Sequence, residues 1–318
     1  MAQAGFQELS ALLKPKLEEL EAHRVELRTK ATKWTTRGIL GTAFSLPICF
    51  LHMPTGLILA AICLIIGLAI RAYQGTKFSR EFKSRIMPVI VDTIHPGMSY
   101  SPNSGVSIGE FEKSRLYLTH PDRYRCEDYF QGEIGKTSIR FSEVHAEKKH
   151  ESRDSHGRKS TSYTTIFRGL FFVVDFNKHF SGETYILADN SEGIFGRFAR
   201  KLQKWNWSRP DLIELEDPEF EKVFKVFSTD QVEGRYIVTP HFMRLLLDLK
   251  TKAGATPCIS FLDNAVYVAI PNSKDFFEFK FSQSLLDDGA LKSLVDQLQF
   301  CTSIVDDLEL NTRIWSKE

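Results

Sequence analysis

The uncharged stretch "GILGTAFSLPICFLHMPTGLILAAICLIIGLAI" limits the folds open to this chain more than any other feature. It runs from Gly38 to Ile70, 33 residues without a charged side chain. A single helix of that length would measure about 50 Å, well beyond a hydrocarbon core of about 30 Å. Pro54 and Gly56 mark a turn near its middle. The stretch therefore predicts two short apolar helices over 38–72, forming either a transmembrane hairpin or a re-entrant loop. A buried soluble hairpin fits less well, because "LILAAICLIIGLAI" has no polar face.

Basic residues flank this stretch on both sides. They are Arg28, Lys30, Lys33 and Arg37 before it, and Arg71, Lys77, Arg80, Lys83 and Arg85 after it. Positive residues mark the cytoplasmic side of a membrane segment. Only a hairpin keeps both clusters on that side. We therefore expect a two-pass protein of the inner (cytoplasmic) membrane, in contact with membrane lipid, with both termini cytoplasmic.

The overall composition excludes several classes of protein. Lys+Arg 41 against Asp+Glu 40 gives no field that would attract nucleic acid. The five cysteines are scattered and never form a CxxC pair. This pattern is typical of reduced thiols and predicts neither a disulfide framework nor a zinc site. We expect no cofactor and no metal.

The first region, residues 1–37, is predicted to be an amphipathic helix. Apolar residues recur every seven positions: Phe6, Leu13, Leu20, Leu27 and Trp34. Such a stripe lines one helix face. It packs either on the protein's own soluble domain or on the membrane surface. Self-association as a coiled coil is the alternative, which would make the chain a homo-oligomer through this helix.

The soluble region is predicted as a strand-rich cytoplasmic domain over 78–210 and an α+β subdomain over 211–318. The first contains four strand segments and a helix whose apolar face carries Ile194, Phe198, Leu202 and Trp205. Its run "FRGLFFVVDF" is apolar on both faces, which indicates a central strand. The second reads as strand "KVFKVFS", helix "TPHFMRLLLDLKTK", a hairpin turning at Asp263–Asn264, strand "FFEFKF" and a long terminal helix. The fold class is α+β, with a mixed antiparallel sheet and helices after the membrane hairpin.

Three blocks of this region resemble a known bacterial family. They are "TTIFRGLFFVVDFNKHFSGETYILAD", "LEDPEFEKVFKVFSTDQVEGRYIVTPHFMRLL" and "ISFLDNAVYVAIP". The chain is similar over residues 80–315 to the membrane-anchored family catalogued as domain of unknown function 3137. The resemblance implies an N-terminal helix and paired apolar segments. It implies no activity.

One polar cluster offers residues for acid/base chemistry. Asp230 and Glu233, with His241 nearby in sequence, are the candidates for a membrane-associated hydrolase. The chain has no GxSxG, HExxH or P-loop motif. In a strand the two carboxylates would point to opposite faces. We therefore expect no catalytic centre, and the hydrolase is the alternative hypothesis.

A second polar stretch is predicted to be a solvated loop. It carries the basic residues Lys148, Lys149, Arg153, Arg158 and Lys159. Their density opposes a metal site built from His145, His150, His156 and Asp154. The same five side chains are candidates for contact with anionic lipid or with a partner. The leading hypothesis is a membrane-anchored cytoplasmic interaction or regulatory module whose protein partner is unknown.

Overall fold

The computed structural model describes residues 2–153, 157–175, 180–189 and 210–310, and describes no side chains at 2–9, 46 and 49–51. The described residues fall into two compact units. We call Met1–Pro96 with Phe277–Leu298 the helical unit, and Gly97–Phe276 with Gln299–Glu318 the sheet unit. The predicted helix around Ile194 lies outside the described residues.

The helical unit is built on two long helices joined at one residue. Helix α1 (Ala2–Leu51) and helix α2 (Met53–Arg85) flank His52, whose extended backbone makes the turn. Proline near the start of α2 is tolerated because the first turn has no intrahelical N–H bond to lose. A short helix, α3 (Met87–Ile94), follows. The predicted N-terminal helix and the first apolar helix are therefore one continuous helix.

The leucines of the apolar stripe on α1 are buried within the protein. Leu13, Leu20 and Leu27 are at most 3% exposed, whereas Trp34 at the end of the stripe is 42% exposed. Three leucines of the stripe thus pack within the protein. Self-association through the N-terminal helix stays a prediction.

The segment predicted as strand "FFEFKF" is not a strand. It is irregular, and two of its aromatic side chains, those of Phe279 and Phe281, pack on α2. Phe279 lies 5.2 Å from Phe82 and Phe281 lies 5.7 Å from Phe78 between ring centroids. Alternating aromatic residues suit a strand, but here they face a helix instead of a neighbouring strand.

The sheet unit contains a nine-stranded sheet within the described residues. Its strands are β1 (Ser99–Ser101), β2 (Arg123–Ile134), β3 (Thr137–Arg153), β4 (Lys159–Asp175), β5 (Thr184–Ala188), β6 (Asp211–Ile213), β7 (Phe224–Ser228), β8 (Cys258–Leu262) and β9 (Ala265–Pro271). The order is β1-β2-β3-β4-β9-β8-β5-β7-β6, and every pairing is antiparallel. The predicted boundary at residue 210 therefore divides strands of one sheet. As predicted, β4 is an interior strand.

Five further helices complete the described fold. They are α4 (Ile108–Lys113), α5 (Pro218–Glu221), α6 (Gln231–Ile237), α7 (Pro240–Ala253) and α8 (Asp288–Asp307). Thr239 caps α7 by accepting a hydrogen bond from the Phe242 N–H at 3.2 Å, as its sequence predicts. Helix α8 is the predicted long C-terminal helix. The mixed α+β class with an antiparallel sheet is confirmed.

The sheet is buried on both faces around β4. On one face Phe171 packs 5.2 Å from Phe111, measured between ring centroids. On the other, Phe172 packs 5.0 Å from Phe141, which stacks on Phe130. Successive strand residues point to opposite faces, so a strand covered on both sides must be apolar throughout. This explains the unbroken apolar run of β4.

Candidate membrane interface

One helical stretch among the described residues is long and apolar enough to cross a membrane. It is Met53–Ile94, and only 11% of its most apolar window is buried within the protein. The core helix of a soluble protein would be mostly buried. The predicted second membrane helix does not meet the same test among the described residues. Beyond Arg37, α1 contains the 14 residues 38–51. The prediction of two membrane-spanning helices is thus supported for one helix only.

The apolar side chains of both helices are exposed. On α1 they include Ile39 (55%), Leu40 (53%) and Phe44 (80%). On α2 the exposed set is Leu57, Ile58, Leu59, Ile62, Leu64, Ile65, Ile66 and Leu68. A contiguous apolar surface of this size on a soluble protein marks an interaction site with a membrane or a partner.

Glycines allow the two helices to approach closely in this stretch. A Cβ built on Gly38 would lie 2.8 Å from the Cys63 carbonyl oxygen. A Cβ built on Gly67 would lie 3.2 Å from the Trp34 carbonyl oxygen. Small residues at such crossings let backbones touch, which is how helices associate in lipid. The antiparallel contact also places Arg37, next to Gly38, beside the uncharged part of α2.

The hydroxyl groups in the stretch are satisfied within their own helix. Thr42 donates to the Ile39 carbonyl at 2.6 Å, and Ser45 donates to the Thr42 carbonyl at 2.7 Å. Thr55 donates to the His52 carbonyl at 2.8 Å. Burying a hydroxyl away from water is costly unless it has a hydrogen-bond partner. These residues are therefore compatible with an apolar surrounding.

A basic groove lies on α1 just before the apolar stretch. It has a volume of about 480 Å³ and is lined by Arg24, Val25, Arg28, Thr29, Thr32, Lys33, Thr36 and Arg37. Arg24 is buried and is neutralised by Glu21 at 2.7 Å. Arg28, Lys33 and Arg37 have no carboxylate partner among the described residues, and Arg37 stacks over the Trp34 ring at 5.0 Å. The sequence showed these charges but not the groove.

The five candidate contact residues do not lie on a mobile loop. Lys148, Lys149 and Arg153 belong to β3 and Lys159 to β4, while Arg158 directly precedes β4. The two strands pair as far as Arg153↔Lys159, forming a ribbon that the prediction of a loop missed. Its sequence is polar on both faces because both faces are exposed. We call residues 148–153 with 157–166 the ribbon.

Acidic side chains balance part of the ribbon's charge. Asp122 accepts hydrogen bonds from the Lys149 N–H at 2.7 Å and from the Lys148 ammonium at 3.1 Å. These bonds lower the pKa of Asp122, the Lys149 amide having the largest effect. Lys149 also pairs with Glu151 at 2.5 Å. The positive charge available to a lipid surface is thus smaller than the sequence suggested.

The three hydrolase candidates have separate local contacts. Asp230 caps α6 by accepting from the Val232 and Glu233 N–H groups at 2.9 and 3.0 Å. Glu233 accepts from the Ser181 and Gly182 N–H groups at 3.0 and 2.7 Å. His241, 53% exposed at its side chain, pairs with Glu309 at 3.0 Å. The carboxylates sit at a helix start and not in a strand, but each is occupied by backbone amides.

A polar cavity in the described part of the sheet unit was not predicted from the sequence. Its volume is about 240 Å³, and it is lined by Arg125, Cys126, Glu127, Glu143, Val144, His145, Arg168, Gly169, Lys274 and Asp275. Arg168 pairs with Asp275 at 2.6 Å, and Glu143 accepts from the Phe276 N–H. Burial raises the pKa of the Cys126 thiol, which favours the thiol over the nucleophilic thiolate. Charges of both signs offset one another here.

Comparison with known proteins agrees with the sequence resemblance. Residues 165–310 match the family model described as "Protein of unknown function (DUF3137)". The match begins within β4, so the helical hairpin and β1–β3 lie outside it. No curated protein matches the chain. The crystal structure of the mycobacterial trehalose monomycolate transport factor A, TtfA, is similar at a TM-score of 0.37 and 10% identity, covering 71% of this chain and 97% of that one.

Proposed function

We propose that this protein is a membrane-anchored interaction module, held by the α1–α2 hairpin and presenting its sheet unit to a protein partner. The observation that supports it best is the exposure of the uncharged stretch. The stretch exposes apolar side chains, of which Phe44 is 80% exposed. Its few hydroxyl groups donate hydrogen bonds to backbone carbonyls of the same helix. Water would oppose such a surface, at roughly 25 cal/mol for each Å² of apolar area. A lipid environment removes that cost.

We further propose that the hairpin enters the membrane from one side, with both helix ends cytoplasmic. A single-pass arrangement would separate α1 from α2 and break the contacts at Gly38 and Gly67. The antiparallel pair instead keeps the basic flanks of both helices at one end. Because the uncharged part of α1 is about 21 Å long at 1.5 Å per residue, the hairpin need not reach the far surface.

Reporter fusions test this topology. Reporters placed after Arg37, at Thr55 and after Arg85 should read inside, outside or membrane-buried, and inside. Resistance of the full-length chain to alkaline extraction from membranes should accompany that pattern. Opposite sides for the first and last reporters would contradict the hairpin. Release of the protein by alkali would contradict membrane anchoring altogether.

We propose that the partner contacts the ribbon by adding a strand to its outer edge. Strand β4 pairs with β9 only from Gly169 onward, and no described strand pairs with the outer edge of residues 159–167. Such an edge offers backbone N–H and C=O groups to an extended segment. The terminal strands β1 and β6 are only three residues long. The basic residues Arg153 and Lys159 at the ribbon's end favour an acidic segment.

Site-specific photo-crosslinking tests the ribbon. A photoreactive residue at Thr161, introduced into the full-length chain in native membranes, should give a discrete protein adduct. The same residue at Val232, which is 79% exposed but distant in sequence from the ribbon, serves as the control. Arg153→Glu with Lys159→Glu should remove the adduct, whereas Lys222→Glu with Arg244→Glu should not. Adducts with lipid alone, or equal adducts at Val232, would count against a protein partner.

A further inference from the structure

The hairpin contains cations that have no carboxylate partner among the described residues. Between Glu26 and Glu81 the chain has no acidic residue. Of the groove's four cations, Arg24 is paired with Glu21 at 2.7 Å, which leaves Arg28, Lys33 and Arg37 without a carboxylate partner among the described residues. An ion brought near an apolar layer needs a counter-charge. That charge must come from outside the hairpin.

The two helices differ in where their uncharged parts end. The contacts of Gly38 with Cys63 and of Trp34 with Gly67 put Lys33 and Arg37 beside that part of α2. The uncharged part of α2 continues to Ile70. At 1.5 Å per residue, Lys33 and Arg37 lie level with positions on α2 that are roughly 5 and 10 Å before Arg71, the first charged residue of that helix. Lipid headgroups that contact Lys33 and Arg37 must therefore lie deeper along the hairpin than headgroups that contact the basic flank of α2.

The groove continues directly into apolar surface. Residues four apart lie on one helix ridge, and the ridge through Thr32 and Thr36 leads on to Leu40 and Phe44. The parallel ridge carries Lys33 and Arg37. The threonine hydroxyls are already donated to helix carbonyls, at 2.9 Å for both Thr32 and Thr36, so the cations are the available donors. The surface is thus cationic at one end and apolar at the other.

We propose that this face of α1 binds an anionic phospholipid, its phosphate between Lys33 and Arg37 and its acyl chains along Leu40 and Phe44. The inference rests on the proposed membrane anchoring. A guanidinium and an ammonium provide charge-assisted hydrogen bonds to phosphate oxygens. Stacking on Trp34 orients the Arg37 guanidinium at the level of the headgroup. The ligand matches the surface in charge and in the order of its polar and apolar parts.

Fluorescence quenching of Trp34 tests this assignment. The full-length chain is reconstituted in nanodiscs of phosphatidylcholine and phosphatidylglycerol, in which one or the other lipid carries brominated acyl chains. Subtracting the signal of Trp34→Phe isolates the reporter. Brominated phosphatidylglycerol should quench the fluorescence of Trp34 more strongly than its fraction of the total lipid predicts. Lys33→Gln with Arg37→Gln should reduce that enrichment on the order of tenfold, since each basic residue near the surface contributes appreciably to anionic lipid binding.

Matched variants distinguish a specific lipid-binding site on α1 from a general attraction of anionic lipid to basic residues. Lys77→Gln with Arg80→Gln removes the same charge from the α2 flank and should leave the enrichment intact. Lys33→Arg with Arg37→Lys should retain it too. Equal loss in the α2 variant, or quenching at the bulk share in the native chain, would overturn the assignment. Loss on adding soluble glycerol phosphate would identify free phosphate as the ligand. A chain that stays outside the nanodisc would refute the anchoring itself.

Discussion

Gly38 on α1 and Gly67 on α2 face each other across the hairpin: a Cβ built on Gly67 would lie 3.5 Å from the Gly38 Cα. The helices touch through their backbones at this point. The contact sets the depth at which Arg37 stands beside α2. It also brings together the two basic flanks, which 33 uncharged residues separate in the sequence.

Adding one methyl group at Gly38 should loosen this contact. Its Cβ would lie 2.8 Å from the Cys63 carbonyl oxygen, a backbone atom that cannot move aside alone. An engineered cysteine at Gly41 reports the effect, because its Cβ would lie 3.1 Å from the Cys63 Cβ, within reach of a disulfide after a small adjustment. Oxidation of Gly41→Cys should form the intramolecular cross-link, and Gly38→Ala should reduce its yield. Gly75→Ala, with 3.9 Å to its nearest neighbour, is the control; an equal reduction there would contradict the model of backbone contact.

The stability of the helical unit should depend on pH through Glu21. The hydrogen bond from Arg24, with others from the Leu285 N–H and the Ser284 hydroxyl, lowers the pKa of Glu21 from 4.5 to about 2, against the effect of burial. A depressed pKa contributes stability above the unfolded value, and that stability is lost as the pH falls from about 4.5 towards 2. Glu21→Gln should therefore lower the melting temperature of the full-length protein in detergent at pH 7, and the difference from the native chain should shrink at acid pH.

Glu26→Gln is the control for that measurement. Glu26 pairs with Lys30 on the exposed face of α1, where an ion pair contributes little. The Glu26→Gln substitution should leave the melting temperature nearly unchanged at every pH. A difference for Glu21→Gln that persists unchanged below pH 2 would show that the carboxylate charge is not responsible.

The hydrolase candidates should behave as structural residues. Asp230→Ala removes the cap of α6 and should cost about 1 kcal/mol of unfolding free energy. Glu233→Gln weakens two charge-assisted bonds and should cost a similar amount. His241→Ala removes an exposed pair and should cost at most about 1 kcal/mol. Denaturant unfolding of each variant checks this ranking. A catalytic trio would instead leave stability intact while abolishing one activity in all three variants.

Gly169 should be indispensable to the sheet. Its φ is +149°, and a Cβ there would lie 2.1 Å from the Ile270 carbonyl oxygen on the neighbouring strand β9. Gly169→Ala should cost several kcal/mol, on the order of the largest single-residue effects. Gly254→Ala, at the left-handed end of α7 with nothing within 4 Å, adds backbone strain without a clash and should cost about 1–2 kcal/mol. Comparable losses in the two variants would show that φ, and not the clash, dominates.

The sequence alone determined the elements whose signals are local. The apolar run of β4, the turn at Asp263–Asn264 and the Thr239 cap of α7 each follow from neighbouring residues. The α+β class was predictable for the same reason, whereas the family of unknown function was identified from the resemblance of three sequence blocks. Backbone preference and hydrophobic period act over a few residues, so they are legible in the sequence.

The tertiary structure decided what depends on a distant neighbour. The "FFEFKF" segment has a strand's alternation, yet it packs on Phe78 and Phe82 of α2, about 200 residues earlier in the chain. The basic stretch around Lys149 is a paired ribbon because β3 and β4 continue to pair with each other beyond the part of the sheet where other strands flank them. The level of Arg37 against α2 is set by two glycines on different helices. Such pairings are chosen by packing and register over the whole chain, and no local pattern encodes them.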